Sequence, residues 1–235
     1  MKGRATALGR LCLFATVVLL AGCASVPPNA GQNPVDPWER LNRQIFAFND
    51  HFDRAVTKPA AKGYRAVVPK GLRQCINNAF ENLYELTTMV NAVLQGRGKV
   101  FGNSIGRFLI NTTIGFFGCN DVARDAGLER NKQYFALTMG RWGIGSGPYV
   151  VLPFLGPSSV RDALGEVPDY FTDPVSYIHP ELDYYATYAG RFVDHRAQVL
   201  DATNLVEEAA LDPYQFVRDA YLQRTRSRIS DESAP

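Results

Sequence analysis

From Trp38 onward, apolar residues recur at spacings of three and four. Trp38, Leu41, Ile45, Phe48, Phe52 and Val56 fall on one helical stripe, with Phe46 facing elsewhere. Asp36-Pro37-Trp38-Glu39 provides the start: a capping residue, a proline suited to the first turn, and a glutamate three residues after Asp36. Leu72, Ile76, Ala79, Phe80, Leu83, Leu86, Val90 and Leu94 predict a second helix over 71–95, which Gly96 ends. A third begins near Lys99 and enters the uncharged stretch from Phe108 to Asn120. That stretch is too short to span a bilayer, so it is core or partly inserted. The Asp-Pro start recurs at Asp173-Pro174 and Asp212-Pro213. Leu182, Tyr185, Ala189, Phe192, Val193 and Val199 predict a helix over 180–200. Phe216, Val217, Ala220 and Tyr221 predict a last one from Pro213, turning basic at Arg224, Arg226 and Arg228 where a helix C-terminus favours cations. Only Tyr149 to Leu152 reads as strand. The pattern therefore predicts a mostly α, single-domain chain.

The segment from Trp142 to Val160 breaks this rhythm. It carries no charge and is long enough to cross a membrane, yet Gly143, Gly145, Gly147, Pro148, Pro153, Gly156 and Pro157 rule out a helix. Two readings are open. One is a flexible hairpin at the membrane, bordering a lipid path, with Tyr149, Leu152, Phe154 and Leu155 making apolar contacts. The other is a connecting loop buried in the core.

The first 22 residues are a separate unit. Lys2, Arg4 and Arg10 precede the apolar run Leu11–Leu20, and Leu20-Ala21-Gly22-Cys23 follows like a bacterial lipobox. The expected mature chain starts at an acylated Cys23, the alternative being an ordinary export signal with a chance cysteine. Residues 23–35 then read as a flexible tether, 36–226 as the helical domain and 227–235 as a short polar tail. The whole chain has 25 basic and 23 acidic residues; without the signal's three basic residues the balance is 22 against 23, a net charge of −1. The basicity is thus targeting and not a nucleic-acid patch. In an extracytoplasmic space Cys75 and Cys119 are either one disulfide or two buried thiols.

Enzyme chemistry finds little support. Gly102-Asn103-Ser104-Ile105-Gly106 has the G-x-S-x-G spacing of a serine hydrolase, which would make a membrane lipase the enzyme alternative, but it sits in a helical stretch, and His179 and His195 downstream have no suggestive setting. The three histidines lack zinc-site spacing, and Gly96-Arg97-Gly98-Lys99 fits neither a phosphate loop nor a dinucleotide turn. No catalytic residue, metal or cofactor is expected.

Several separated motifs do point to a family. Asp36-Pro37-Trp38-Glu39-Arg40-Leu41-Asn42-Arg43 with Phe46-Ala47-Phe48-Asn49 form one, and Arg107-Phe108-Leu109-Ile110-Asn111-Thr112 through Asp121-Val122-Ala123 another. Gly143-Ile144-Gly145-Ser146-Gly147-Pro148-Tyr149, Gly156-Pro157-Ser158 and Arg161-Asp162 follow, then Asp212-Pro213-Tyr214 and Arg218-Asp219-Ala220-Tyr221. Together they resemble the MlaA/VacJ family of outer-membrane lipoproteins. The resemblance implies a ring-like helical domain in the inner leaflet of the outer membrane, pierced by an amphipathic channel and anchored by lipid. It also implies removal of mislocalised phospholipid from the outer leaflet, association with a trimeric porin and delivery to a soluble periplasmic carrier. The glycine-rich hairpin would flank and gate the channel, through Gly143, Gly145, Gly147, Pro148, Tyr149 and Phe154. Phe46, Asn49, Asn111 and Thr112 are wall candidates, although Asn111 and Thr112 also suit helix packing through hydrogen bonds. Arg191, Arg196, Arg218 and Arg224 are candidates for lipid phosphates, since guanidinium binds phosphate bidentately; a structural ion pair is the alternative for each. A passive structural envelope lipoprotein is the rival reading for the whole chain.

Overall fold

A computed structural model of the protein describes residues 26–230, without the side chains of 204–209. Cys23 and the signal lie outside the described residues. The chain is mostly helical: α1 (Glu39–Phe52), a π turn (Asp53–Thr57), α2 (Lys58–Val67), α3 (Lys70–Leu94), α4 (Gly98–Thr113), α5 (Val122–Asp125) and α6 (Phe135–Arg141) come first. A two-stranded antiparallel hairpin follows, β1 (Tyr149–Leu152) with β2 (Gly156–Ser159), pairing Tyr149 with Ser159 and Leu152 with Gly156. Then come α7 (Val160–Thr172), a 3-10 turn (Pro174–Tyr177), α8 (Glu181–Ala209) and α9 (Pro213–Ser230).

The elements close on themselves. α1 continues through the π turn into α2, which packs on α8; α8 packs on α3, α3 on α7, α7 on β2, and β1 returns to α1. The result is a ring, with α3 and α4 as an antiparallel pair on one side. Cys75 of α3 is bonded to Cys119 in the turn after α4, which resolves the two cysteine readings in favour of a bridge.

Burial runs against the usual order. Arg107 is 1% exposed and Glu85 2%, whereas Phe117 is 76% exposed, Leu155 70% and Ile114 72%. Along α1 the apolar stripe turns outward at Trp38 and Leu41, while Glu39, Asn42 and Arg43 are buried. α3 repeats the inversion: Leu72, Val90 and Leu94 are exposed, and Asn82, Glu85, Thr87, Thr88 and Asn91 are buried. Buried polar groups are tolerable only when bonded, and these form networks. Arg107 donates to Glu85 (2.8 Å), to Asp121 (2.7 Å) and to the Leu128 carbonyl. Asp36, fully buried, accepts from Asn42 (2.9 Å), the Tyr214 hydroxyl (2.6 Å) and Arg218 (3.2 Å).

Some boundaries shift. α1 stops at Phe52, because the π turn takes Val56 out of the expected helix. α8 runs past the expected residue 200 to Ala209, and α9 extends four residues beyond 226. Within the tether, Gly31 donates to Glu39 (3.3 Å) and the Val35 carbonyl accepts from the Tyr149 amide (2.8 Å), so its last residues are docked on the ring. Asp173-Pro174 starts only a 3-10 turn, although Asp173 does cap it through the Val175 amide (3.0 Å). No helix among the described residues is long and apolar enough to cross a membrane.

Candidate functional site

The ring surrounds two adjoining cavities of about 780 and 770 Å³. The first lies among α1, the hairpin, α8 and α9; the second among α3, α7, α8 and the far end of α9. Pro157, Tyr221 and Arg224 border both, so α9 and β2 form their common wall. Aromatic and charged side chains alternate around this lumen. Phe46, Tyr214, Phe216 and Val217 face the first cavity beside Arg43, Asp53 and Arg196, while Phe80, Tyr84 and Tyr188 face the second beside Glu81, Lys132 and His195. The lining is thus amphipathic, and large apolar residues that line neither cavity, among them Ile114, Phe117, Leu155 and Leu164, are exposed outside it.

Most lumenal charges are held by partners. Arg196 grips Asp53 with two bonds of 2.7 Å each. Burial acts to raise Asp53, but the hydrogen bonds from Arg196 and Thr57 outweigh it and hold the carboxyl below its ordinary range. Arg43 pairs with Glu39 (2.9 Å) and Asp212 (2.7 Å) and stacks 4.4 Å over the Tyr214 ring. Arg191 meets Asp173 at 2.5 Å, and Lys132 pairs with Glu81. Burial and then the Lys132 charge push His195 below its usual value, so it is neutral at pH 7.

The hairpin is fastened to α1 by two asparagines seven residues apart, two helical turns and therefore on one face. Asn42 donates to the Tyr149 carbonyl (3.0 Å) and accepts from the Val151 amide (2.9 Å). Asn49 donates to the Leu152 carbonyl (2.9 Å) and accepts from the Phe154 amide (2.8 Å). Each side chain imitates a strand neighbour and satisfies the outer edge of β1. Tyr149 and Val151 are buried with Tyr214, and at the tip Phe154 packs edge-to-face on Phe48 (5.2 Å) and Phe52 (4.9 Å). β1 is therefore core, as the reading of a buried connection expects, while the tip at Phe154 and Leu155 is exposed.

A family model described as MlaA lipoprotein matches residues 34–228. The chain belongs to the MlaA lipoprotein family. The intermembrane phospholipid transport system lipoprotein MlaA of Escherichia coli is 37% identical over 210 residues, covering 88% of this chain and 82% of that protein. The lipoprotein of the same description from Haemophilus influenzae is 31% identical over 234 residues, covering 94% and 90%. A solved structure reported as the structural basis for maintenance of bacterial outer membrane lipid asymmetry superimposes with a TM-score of 0.69. It is 35% identical, and the match covers 83% of this chain and 98% of that one.

The expected MlaA-family site residues divide in three. Phe46 and Asn49 line the first cavity, and so do Arg196 and Arg224. Arg191 lines the second. The hairpin residues lie further back: Gly143 and Gly145 border a smaller cavity of about 400 Å³ beside Arg161 and Ile229, Gly147 packs near Val160, and Tyr149 is wholly buried. The Pro148 carbonyl accepts from Val160 (3.1 Å). It is Gly156 and Pro157 of β2, with Ser158 on the second cavity, that reach the lumen. Asn111, Thr112 and Arg218 line neither main cavity. Asn111 is buried, donating to Asp121 (3.0 Å) and accepting from the Ala123 amide (2.9 Å); Thr112 accepts from Asn82 (2.8 Å). Arg218 is spent on Asp36 and Asp219, as a structural pair. Ser104 is buried inside α4, away from any strand-to-helix elbow. Sequence reasoning passed over Asn42, Asp36, Asp53, Tyr214 and Tyr221, which hold the hairpin or shape the lumen. All but Asp53 stand within the family-like motifs, which were the available signal.

Proposed function

We propose that the chain is an envelope lipoprotein that moves phospholipid through its lumen and so maintains outer-membrane lipid asymmetry. The observation that carries this reading is the reversal of polarity: an apolar exterior around an amphipathic interior. A phospholipid leaving one leaflet needs a polar route for its head group and apolar contacts for its tails, and the two adjoining cavities provide both. Residues such as Ile114, Phe116, Phe117, Leu155 and Leu164 suit immersion in one leaflet, where an exposed apolar surface of this extent finds acyl chains. Irregular backbone at that depth must be satisfied by protein, which is what Asn42 and Asn49 do for the hairpin.

In this reading residues 1–22 are a cleaved lipoprotein signal, Cys23 is acylated, 23–35 connect it to the domain of 36–226, and 227–235 form a tail. The finer expectations are removal of phospholipid from the outer leaflet, a trimeric porin as neighbour in the membrane and a soluble periplasmic carrier as acceptor. They rest on the family resemblance; the names of the relatives support phospholipid transport. A purely structural lipoprotein would have no use for a lumen of this size. Phospholipid accumulating in the outer leaflet of a strain lacking the protein, restored by the wild-type chain, is the expected result. An unchanged outer leaflet would refute the transport reading.

A further inference from the structure

The cations facing the lumen are nearly all committed to carboxylates. Arg43, Arg54 and Arg196 in the first cavity pair with Glu39 and Asp212, Asp50, and Asp53. Arg191 and Lys132 in the second pair with Asp173 and Glu81. Arg228, one turn further along α9, donates to the Lys132 carbonyl and lies 4.8 Å over the Tyr134 ring. Arg224 differs. It borders both cavities, it is exposed, and it makes no ion pair or hydrogen bond among the described residues. Of the carboxylates on the second cavity's wall, Glu81, Asp173, Asp162 (by Arg161 and Tyr221), Asp194 (by Tyr64, 2.9 Å) and Asp169 (by Asn91, 2.9 Å) are engaged, and Glu166 forms no ion pair with Arg224.

A guanidinium left unpaired where two cavities join is a ready anion site, because its five donors match a phosphate oxygen edge in a fork. We propose that Arg224 binds the phosphate of a phospholipid head group at this junction, as the point every lipid passes on its way between the cavities. The proposal deepens the transport reading and rests on it. Neighbouring Phe46, Phe216 and Tyr221 would keep the glycerol and the first methylenes in apolar contact while the phosphate is held. A single exposed cation without a carboxylate partner also suits passage: it attracts the phosphate without burying it in a closed cage, so release remains possible.

The test uses the full chain extracted from membranes into detergent. Binding of a fluorescent phosphatidylethanolamine is measured beside a diacylglycerol of the same acyl chains, with inorganic phosphate as competitor. R224A should weaken phospholipid binding about tenfold, a loss of about 1.4 kcal/mol, and leave diacylglycerol binding unchanged, while R224K should recover part of it. Because Arg224 has no internal partner, the variant should keep the wild-type melting temperature, which excludes misfolding as the cause. Equal phospholipid affinity for wild type and R224A would overturn the assignment while leaving the transport reading intact. Failure of the wild type to bind either lipid would instead sink the transport reading. Full displacement of phospholipid by inorganic phosphate at equal affinity would mark a free-anion site and also overturn the assignment.

Discussion

At the scale of single residues, stability depends on polar groups placed where most proteins put leucine. Arg107 is the sharpest case, since three of its donors are used and its partner Glu85 is buried with it. Removing one member of such a pair strands a charge in low dielectric and costs about 3–5 kcal/mol, whereas replacing both by apolar groups is often near neutral. R107M should therefore lower the denaturation midpoint severely, and adding E85M should restore part of it. Midpoints in detergent check this; a double variant no better than the single would argue that Asp121 is the dominant partner. Asp169 makes a pH-dependent contribution of the opposite kind to an ordinary acid. Burial pushes its carboxyl up to about 6, against the Phe135 amide and Asn91, which favour ionisation. Its pKa is thus higher folded than unfolded, so the folded state binds the proton more tightly. Its stabilising contribution is complete below about 3.8 and is lost as pH rises to about 6. The melting-temperature gap between D169N and wild type should move in the variant's favour between pH 4 and pH 7. A gap that stays constant over that range would show that Asp169 does not titrate there.

At the scale of elements, the hairpin shows how a segment without helical or strand periodicity is made definite. Asn42 and Asn49 complete β1 from outside the sheet. N42A should cost more than N49A, because Asn42 also bonds Asp36 and its backbone partners are buried, while the Phe154 amide can turn to water. With about 1–3 kcal/mol per stranded buried group, N42A should lose several kcal/mol and N49A about 1. Hydrogen exchange would locate the damage: faster at Val151 in N42A, at Phe154 in N49A. Gly147 has φ of +66° with Val160 3.3 Å from where a side chain would start, whereas Gly145 faces open space. G147A should accordingly be destabilised and G145A tolerated. Much of this level was legible in sequence. The helix expected over 71–95 is Lys70–Leu94, and the Asp-Pro start at 212 and Gly96 as a stop hold. What periodicity could not tell was which face is in. The stripe through Trp38 and Leu41 has the same period whether it meets a core or lipid, so the period marks the helix and leaves its facing open. The lumen was equally hidden, because Asp53 meets Arg196 across 143 residues of sequence, with Tyr214 beside them, and no local spacing records that.

At the scale of the molecule, the exposed apolar residues change what the acyl anchor proposed at Cys23 would have to do. A single buried chain contributes about 0.8 kcal/mol per CH₂ and holds a protein only marginally. Each Leu or Phe side chain moved from water into hydrocarbon contributes about 1.5–3 kcal/mol, and Ile114, Phe116, Phe117, Leu155, Leu164, Val167 and Phe171 are all exposed on this ring. Even with half of them immersed, the domain's own surface rivals one acyl chain. We therefore expect the anchor to direct the protein to its membrane and the ring to keep it there. If the first 22 residues are exchanged for an ordinary export signal and Cys23 is changed to Ser, the unlipidated chain should still sediment with membranes after a high-salt wash and leave them only in detergent. Adding F117S and L155S, which strip apolar surface without touching either lumenal cavity, should release that chain to the soluble fraction, yet leave the lipidated form bound. Release of C23S alone would mean that the lipid does the holding and that the apolar face of the ring is covered by another protein instead of by acyl chains.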